Sequence, residues 1–269
     1  MIPILPAVAG ALGALAARSI TENSAMPSWD RSSFKGSSVS LTGGLHAAAG
    51  AIASSAALGT VGIASAIAAG SGAVAGYVDD HLEDKFPAKG KGFKGHIGAL
   101  KEGKVTSGLV KIVTVGAGAA VSAALVPSKR TSIPGKVVEY SANTLLIAGT
   151  ANLLNLLDLR PGRALKAATA IAAPLTLTPT KAAPIAAGVV GTSLASLPTD
   201  LAGETMLGDL GANALGAQLG VALATCPSVV VKTVALAGVL GLTAASEKVS
   251  FSKVIESNPV LSAIDNLGR

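Results

Sequence analysis

The sequence is poor in charge, in aromatic side chains and in cysteine. Charged residues make up 13% of its 269 residues and aromatic residues 3%, while half of the chain is apolar and its mean hydropathy is +0.58. Because a soluble domain typically carries about 25% charged residues, these values exclude an ordinary soluble domain. The lone Cys226 excludes an internal disulfide. We therefore expect an integral membrane protein.

Glycine is abundant, with 32 residues, so the helices are expected to pack closely through small side chains. The net charge is +6, so we considered whether the protein binds nucleic acid. However, the basic residues alternate with acidic ones in loops between apolar segments, as is typical of the cytoplasmic face of a membrane protein. We expect no nucleic-acid binding.

The apolar segments predict an all-α fold, a single polytopic membrane domain over 1–269 with about nine transmembrane helices, within a range of roughly eight to ten. The first segment lacks the basic stretch and the cleavage site of a signal peptide, so we expect a retained helix with its N-terminus outside. Gly59 is expected to divide 43–78 into two helices. The other predicted segments are 2–17, 108–126, 137–157, 164–178, 182–197, 210–225 and 229–245.

Nine spans place the loops 18–42, 79–107, 158–166 and 199–209 and the tail 247–269 on one side of the membrane. Counting Lys111 with its neighbouring loop, that side holds 16 of the 21 lysines and arginines, and it holds every carboxylate except Glu139. By the positive-inside rule it is the cytoplasmic side of the plasma membrane. The loop 79–107 mixes both charge signs most densely, and we expect it to be a cytoplasmic catalytic loop.

Three polar clusters fall at the predicted cytoplasmic helix ends. In the cluster of Asn152, Asn155 and Asp158, the spacing of three residues places Asn152 roughly 9 Å deeper than Asp158, so that the helix lines a cleft. In the G-D-L-G-A-N-A-L-G segment, the helix dipole favours Asp209 at a helix start, and the neighbouring glycines allow a ligand to approach the backbone. The clusters are Asp79 and Asp80; Asn152, Asn155 and Asp158; and Asp209 within G-D-L-G-A-N-A-L-G.

Adjacent carboxylates at a helix C-terminus meet the negative end of the dipole and call for a cation. A Mg²⁺ ion that carries a substrate phosphate would satisfy them, since Mg²⁺ takes one or two carboxylates together with phosphate oxygens. A plainer interpretation makes Asp79 and Asp80 a solvated helix end. Likewise, Asn152 and Asn155 could simply hydrogen-bond between helices, which is common in membranes.

The three clusters, in this order, resemble motifs of the polyprenyl-phosphate N-acetylhexosamine-1-phosphate transferases, glycosyltransferase family 4. The similar pieces are the D-D pair that ends a Gly-rich helix, the N-x-x-N-L-x-D helix end and the G-D-x-G-x-x-x-L-G segment. The T-G-G of 42–44 resembles the family's P-x-x-G-G. The resemblance extends from about Arg31 to the tail.

The resemblance implies transfer of a sugar 1-phosphate, expected to be N-acetylhexosamine 1-phosphate, from a UDP-sugar to a polyprenyl phosphate. The reaction releases UMP, uses Mg²⁺ or Mn²⁺ and belongs to bacterial envelope glycan synthesis. By similarity, Asp209 and Asp80 would bind the metal, and Asp79 and Asp80 would be catalytic. The implied partners are the polyprenyl phosphate, the UDP-sugar, the membrane and a second copy of the chain. Substrate-binding residues would be Asn152, Asn155, Asp158, Lys89, Lys94, Arg160 and Arg163.

The sequence also departs from the family. Members commonly carry N-L-x-D-G-L-D-G, whereas here Asp158 is followed by L-R-P-G-R, and Pro161 takes the position of the second aspartate. The family's His- or Arg-rich loop between the last helices is absent from the sequence. A sugar site could be built instead from Arg160, Arg163 and the tail. These departures favour the alternative of a non-catalytic relative that binds polyprenyl phosphate or an envelope-synthesis partner.

Overall fold

The computed structural model describes residues 3–32, 36–56, 58–86 and 92–269, without the side chains of 92–94, 96 and 97. Within these ranges, two short strands, β1 (Asp30–Ser32) and β2 (Ser38–Ser40), form an antiparallel ribbon, and the remaining elements are helical. The α-helices are α1 (Ile4–Glu22), α2 (Thr42–Ser55), α3 (Gly59–Leu82), α4 (Gly92–Lys101), α5 (Ser107–Leu125), α6 (Ile133–Leu157), α7 (Arg163–Thr176), α8 (Ala182–Leu201), α9 (Gly208–Thr225), α10 (Val229–Ser246), α11 (Phe251–Ser257) and α12 (Pro259–Asn266).

The all-α architecture predicted from composition is confirmed. In the described part of the chain, five helical segments are long and apolar enough to cross a membrane: α1, 59–85, α5, α8 and α10. The count of nine spans and the orientation stay predictions.

Each apolar segment of the sequence forms a helix, with differences at the ends. The predicted break at Gly59 is present, and this glycine has a positive φ of 59° between α2 and α3. Helix α6 begins earlier than predicted because Ser132 caps it and Pro134 occupies its first turn. Helix α8 continues past Pro198 to Leu201, so Asp200 lies in a helix and not in the predicted loop. The tail, predicted only as polar, contains α11 and α12.

Helix α9 lies at the centre of the bundle, and every residue from Leu210 to Ala224 is buried. Helices α3 and α6 make its largest contacts. Glycines allow this approach: a Cβ on Gly76 would lie 2.3 Å from the backbone carbonyl of Asp209, and a Cβ on Gly220 would lie 2.6 Å from the Cα of Ile147. Gln218 donates hydrogen bonds to Ser54 and to the carbonyl of Ala51, which holds α2 against the same helix.

Short connections join the helices from α5 to α10, so consecutive helices run in opposite directions. As a result, the C-terminal ends of α3 and α6 and the N-terminal ends of α5 and α9 meet at one end of the bundle. The β ribbon lies there too, because Ser40 exchanges backbone hydrogen bonds with Glu204 and Met206 just before α9. This end carries the three polar clusters.

Candidate functional site: carboxylates around a buried lysine

Lys111 of α5 lies between carboxylates of two other helices. Its Nζ is 3.3 Å from Oδ2 of Asp79 and also forms an ion pair with Oδ2 of Asp209. The amide of Asn155 completes the group. With its oxygen and nitrogen assigned so that each meets a complementary partner, the nitrogen donates to Oδ1 of Asp209 at 2.8 Å and the oxygen accepts from Lys111 Nζ at 2.9 Å. The Lys111 side chain is only 15% exposed. Two carboxylates therefore share one ammonium group.

The start of α5 determines where this lysine lies. Thr106 caps the helix by accepting a hydrogen bond from the backbone N–H of Leu109 at 3.1 Å. Ser107, the first residue of the helix, contacts the Asp79 carboxylate. Lys111 follows one turn later within an otherwise apolar helix, where an unpaired charge would be costly. The ion pairs offset that cost.

Asp80 caps helix α9 from outside that helix. Its Oδ1 accepts from the backbone N–H of Asp209 at 3.2 Å, and its Oδ2 accepts from that of Leu210 at 2.9 Å. The N-cap residue of α9 itself, Leu207, supplies no side-chain cap. Arg31 donates to the backbone carbonyl of Asp80 at 2.6 Å and ties β1 to the same place. Both carboxylate oxygens of Asp80 are thus occupied by the α9 backbone.

Asp158 and Asp200 form a second acidic group behind the first. Both side chains are buried, and each accepts a backbone N–H, from Gly208 and Gly162 respectively. Burial, together with the nearby Asp200 and Asp209, raises the pKa of Asp158 well above its usual range. Burial and these neighbours therefore bias Asp158 toward its protonated form. It lines a cavity of about 490 Å³ with Asp200, Arg160 and Arg269.

The two arginines predicted to bind substrate contact the tail. Arg163 forms a two-point ion pair with Asp265 of α12, at 2.7 and 2.9 Å, and both side chains are buried. Arg160 pairs with Glu256 of α11 at 2.6 Å. Burial opposes ionisation of Asp265, but hydrogen bonds from Arg163 and Arg269 lower its pKa to about 2. These contacts fasten the tail onto the same end of the bundle.

The remaining predicted residues lie outside this group. The Nδ2 of Asn152 is 3.5 Å from the hydroxyl oxygen of Thr243 in α10, which favours the interhelical hydrogen bond over a cleft-lining role. Lys89 falls outside the described residues, and the side chain of Lys94 is not among those described. Their predicted contact with phosphate stays a prediction.

The donor atoms have the chemistry of a Mg²⁺ site, but their arrangement does not fit one. Among the described residues, no three His, Cys, Asp or Glu side chains are disposed to hold a metal. The Lys111 ammonium lies between Asp79 and Asp209, and the oxygens of Asp80 accept backbone hydrogen bonds. A divalent ion could bind between Asp79 and Asp209 only if Lys111 moved away.

Two site residues carry a signal in the sequence that the prediction did not use. Lys111 was counted as a loop charge, although it stands four residues into an apolar run, where a charge needs a partner. Asp200 falls in the predicted loop 199–209, which is rich in acidic residues. A third feature had no sequence signal: beside Asp80, the His81 ring stacks on Tyr77, with centroids 4.7 Å apart, and contacts Trp29 at a tilt of 56°, with centroids 4.3 Å apart.

No protein-family model matches the chain, and no curated protein matches it. The resemblance to the sugar-phosphate transferases consequently rests on the motifs quoted above.

Proposed function

We propose that this protein is a membrane enzyme that transfers a sugar 1-phosphate from a UDP-sugar to a polyprenyl phosphate at the cytoplasmic face, with release of UMP. The supporting observation is the convergence of Asp79, Asp209 and Asn155 on Lys111 at one end of an apolar bundle. These residues come from four helices, and three of them belong to motifs that resemble those of the transferase family.

The proposed chemistry suits this group. An oxygen of the lipid phosphate would attack the phosphorus that bears the sugar, forming one P–O bond as the bond to the UMP oxygen breaks. Because a phosphate monoester is largely ionised at pH 7, with a second pKa of about 6, the attack requires no strong base. It does require positive charge near the diphosphate, since catalysis of phosphoryl transfer is mostly positioning and electrostatic stabilisation.

We propose that Lys111 supplies that positive charge. Its ammonium is held by Asp79 and Asp209 and would turn toward the diphosphate when substrate enters. Asn155 would keep Asp209 oriented during that movement, through the hydrogen bond at 2.8 Å. Mg²⁺, as the resemblance implies, would supply further charge neutralisation. Its binding would require the lysine to be displaced, so metal dependence is a result to be measured.

We further propose nine membrane spans with the N-terminus outside. Nine described helices of 14 to 25 residues (α1 to α3 and α5 to α10) support this count. Helices α2 and α7, with 14 residues each, are short for a hydrocarbon layer of about 30 Å. Both pack against longer helices of the bundle, α2 against α1 and α7 against α8.

A second candidate is a non-catalytic relative that binds polyprenyl phosphate or an envelope-synthesis partner. Two observations favour it: Asp80 is fully occupied as a helix cap, and Pro161 stands where the family has its second aspartate.

The test is release of UMP by the purified full chain. A panel of UDP-N-acetylhexosamines would be supplied with a polyprenyl phosphate, with and without Mg²⁺ or Mn²⁺. Asp209→Asn should reduce turnover by at least about 100-fold, as expected for loss of an electrostatic group in a transition state. The matched control, Glu247→Gln, changes an exposed carboxylate in the tail and should retain full activity.

Release that is unchanged in Asp209→Asn would refute the assignment of the site. If folded protein releases no UMP from any donor but retains polyprenyl phosphate through purification, the non-catalytic alternative stands and the enzyme proposal fails.

A further inference from the structure

The end of the bundle opposite the carboxylates holds a strongly basic cavity. It has a volume of about 530 Å³ and lies where α5 and α9 end and α6, α8 and α10 begin. Four cations line it, and Glu139 is the single carboxylate among the described residues that line it. The cations are Lys129, Arg130, Lys181 and Lys232.

One of these charges is already neutralised. Lys232 forms an ion pair with Glu139 at 2.8 Å, and Glu139 also accepts a hydrogen bond from Ser128 at 2.6 Å. Both side chains of the pair are less than one-fifth exposed. Lys129, Arg130 and Lys181 therefore give the cavity an excess of three positive charges. Helices α8 and α10 begin at its wall, and the positive ends of their dipoles add to the potential.

Membrane topology does not explain these cations. The positive-inside rule accounts for lysines and arginines at the cytoplasmic end, where 16 of the 21 are predicted. The cavity gathers four of the remaining five. Lys129, Arg130 and Lys181 are exposed, so solvent screens the repulsion between them, and a bound anion would remove what remains.

We propose that this cavity binds a phosphate group, supplied by the headgroup of an anionic phospholipid. Helix α10, which forms one wall, buries only Val239 and exposes an apolar surface along the rest of its length. Acyl chains could lie along that surface, beside Val230 and Val234, while the phosphate enters the cavity. The proposal is independent of the transferase reaction, which is assigned to the other end of the bundle.

Native mass spectrometry of the full chain in detergent would measure binding of phosphatidylglycerol, with phosphatidylcholine of the same chain length as comparison. The test variant is Lys129→Gln/Arg130→Gln/Lys181→Gln. At about fivefold for each cation near an anionic lipid, it should bind phosphatidylglycerol on the order of 100-fold more weakly. The matched control removes three exposed cations from the other end, Lys101→Gln/Lys104→Gln/Lys253→Gln, and should bind as the wild type does.

Two further arms make the result decisive. Lys129→Arg/Lys181→Arg keeps the charges and should retain binding, which separates loss of charge from loss of folding. Inorganic phosphate at millimolar concentration tests the free anion: if it stabilises the wild type but not the triple variant and phosphatidylglycerol shows no preference, the phosphate site stands with a soluble occupant. The proposal is overturned if neither ligand binds the wild type more tightly than the triple variant, or if the control triple weakens binding equally.

Discussion

Replacing Lys111 by methionine tests whether this side chain holds the carboxylate group together. The substitution keeps an unbranched side chain as far as the ε position, removes the ammonium group and leaves Asp79 and Asp209 facing each other without a cation. Removing one partner of a buried ion pair costs about 3 to 5 kcal/mol. Here the carboxylate side chains are 25% and 26% exposed, so water reduces the expected loss to about 2 to 3 kcal/mol.

Cys226 provides the assay. It is the chain's one cysteine and is 5% exposed in the folded state, at the wall of the basic cavity, so its reaction with a fluorogenic maleimide should accelerate on unfolding. At a fixed heating rate, a loss of about 2 to 3 kcal/mol should lower the apparent midpoint by roughly 5 to 10 °C. Lys111→Arg keeps the charge and should remain within about 3 °C of the wild type.

A matched control is Lys232→Met, because Lys232 is 16% exposed and pairs with a single carboxylate. It should lower the midpoint by less than Lys111→Met does. Adding Asp79→Asn to Lys111→Met removes one of the two stranded charges and should recover about 1 kcal/mol. This prediction is wrong if Lys111→Met has the same unfolding midpoint as the wild type, or if the double variant is less stable than Lys111→Met. Lys111 would then not offset the charges of Asp79 and Asp209.

Three other predictions use the same unfolding assay or proteolysis. Gly76→Ala should destabilise by about 1 to 3 kcal/mol because its Cβ meets the α9 backbone, whereas Gly70→Ala, with nothing within 4 Å of its Cβ, should be neutral or slightly stabilising. Asp158→Asn should gain stability over the wild type as the pH rises above 3.8, the ordinary carboxyl pKa, because the folded wild type must keep a proton that its unfolded chain releases. An unchanged difference between pH 4 and 8 would refute the raised pKa. Arg163→Gln removes the ion pair that joins α7 to the tail and leaves Asp265 paired only with Arg269 of the tail itself, so the tail 247–269 should become accessible to trypsin at least about tenfold faster.

The sequence was sufficient to predict the nine apolar helices and the end of the bundle to which each cluster belongs, but not α4, α11 and α12, which lie in segments predicted as loop and tail. Apolar length predicts the nine helices, and alternation of direction then brings Asp79, Asn155 and Asp209 to the same end. The partners of these residues could not be predicted in the same way. Lys111 and Asp209 are 98 positions apart, and their pairing depends on how α5 is rotated about its axis. Hydropathy carries little information about that rotation, because the helix has few polar residues.

The role of Asp80 was missed for a related reason. Capping residues are recognised in a sequence immediately before the helix that they cap, and Asp80 lies 129 positions before Asp209. Arg163 was likewise predicted to bind substrate. Its actual partner lies in the tail, and their buried ion pair forms only because the tail is folded. The sequence showed that segment only as polar.

The different roles of the two adjacent aspartates follow from how α3 meets α9. Gly72, Gly76 and Asp80 are spaced by four residues and lie on one face of α3. Cβ atoms on the two glycines would contact the α9 backbone at Asn213 and Asp209, which are also four residues apart. The antiparallel match continues for one more turn, so the next residue on this face, Asp80, reaches the free N–H groups at the start of α9. Asp79 lies about 100° further round the helix and faces α5 instead. The spacing of the glycines therefore decides which aspartate caps α9 and which one pairs with Lys111.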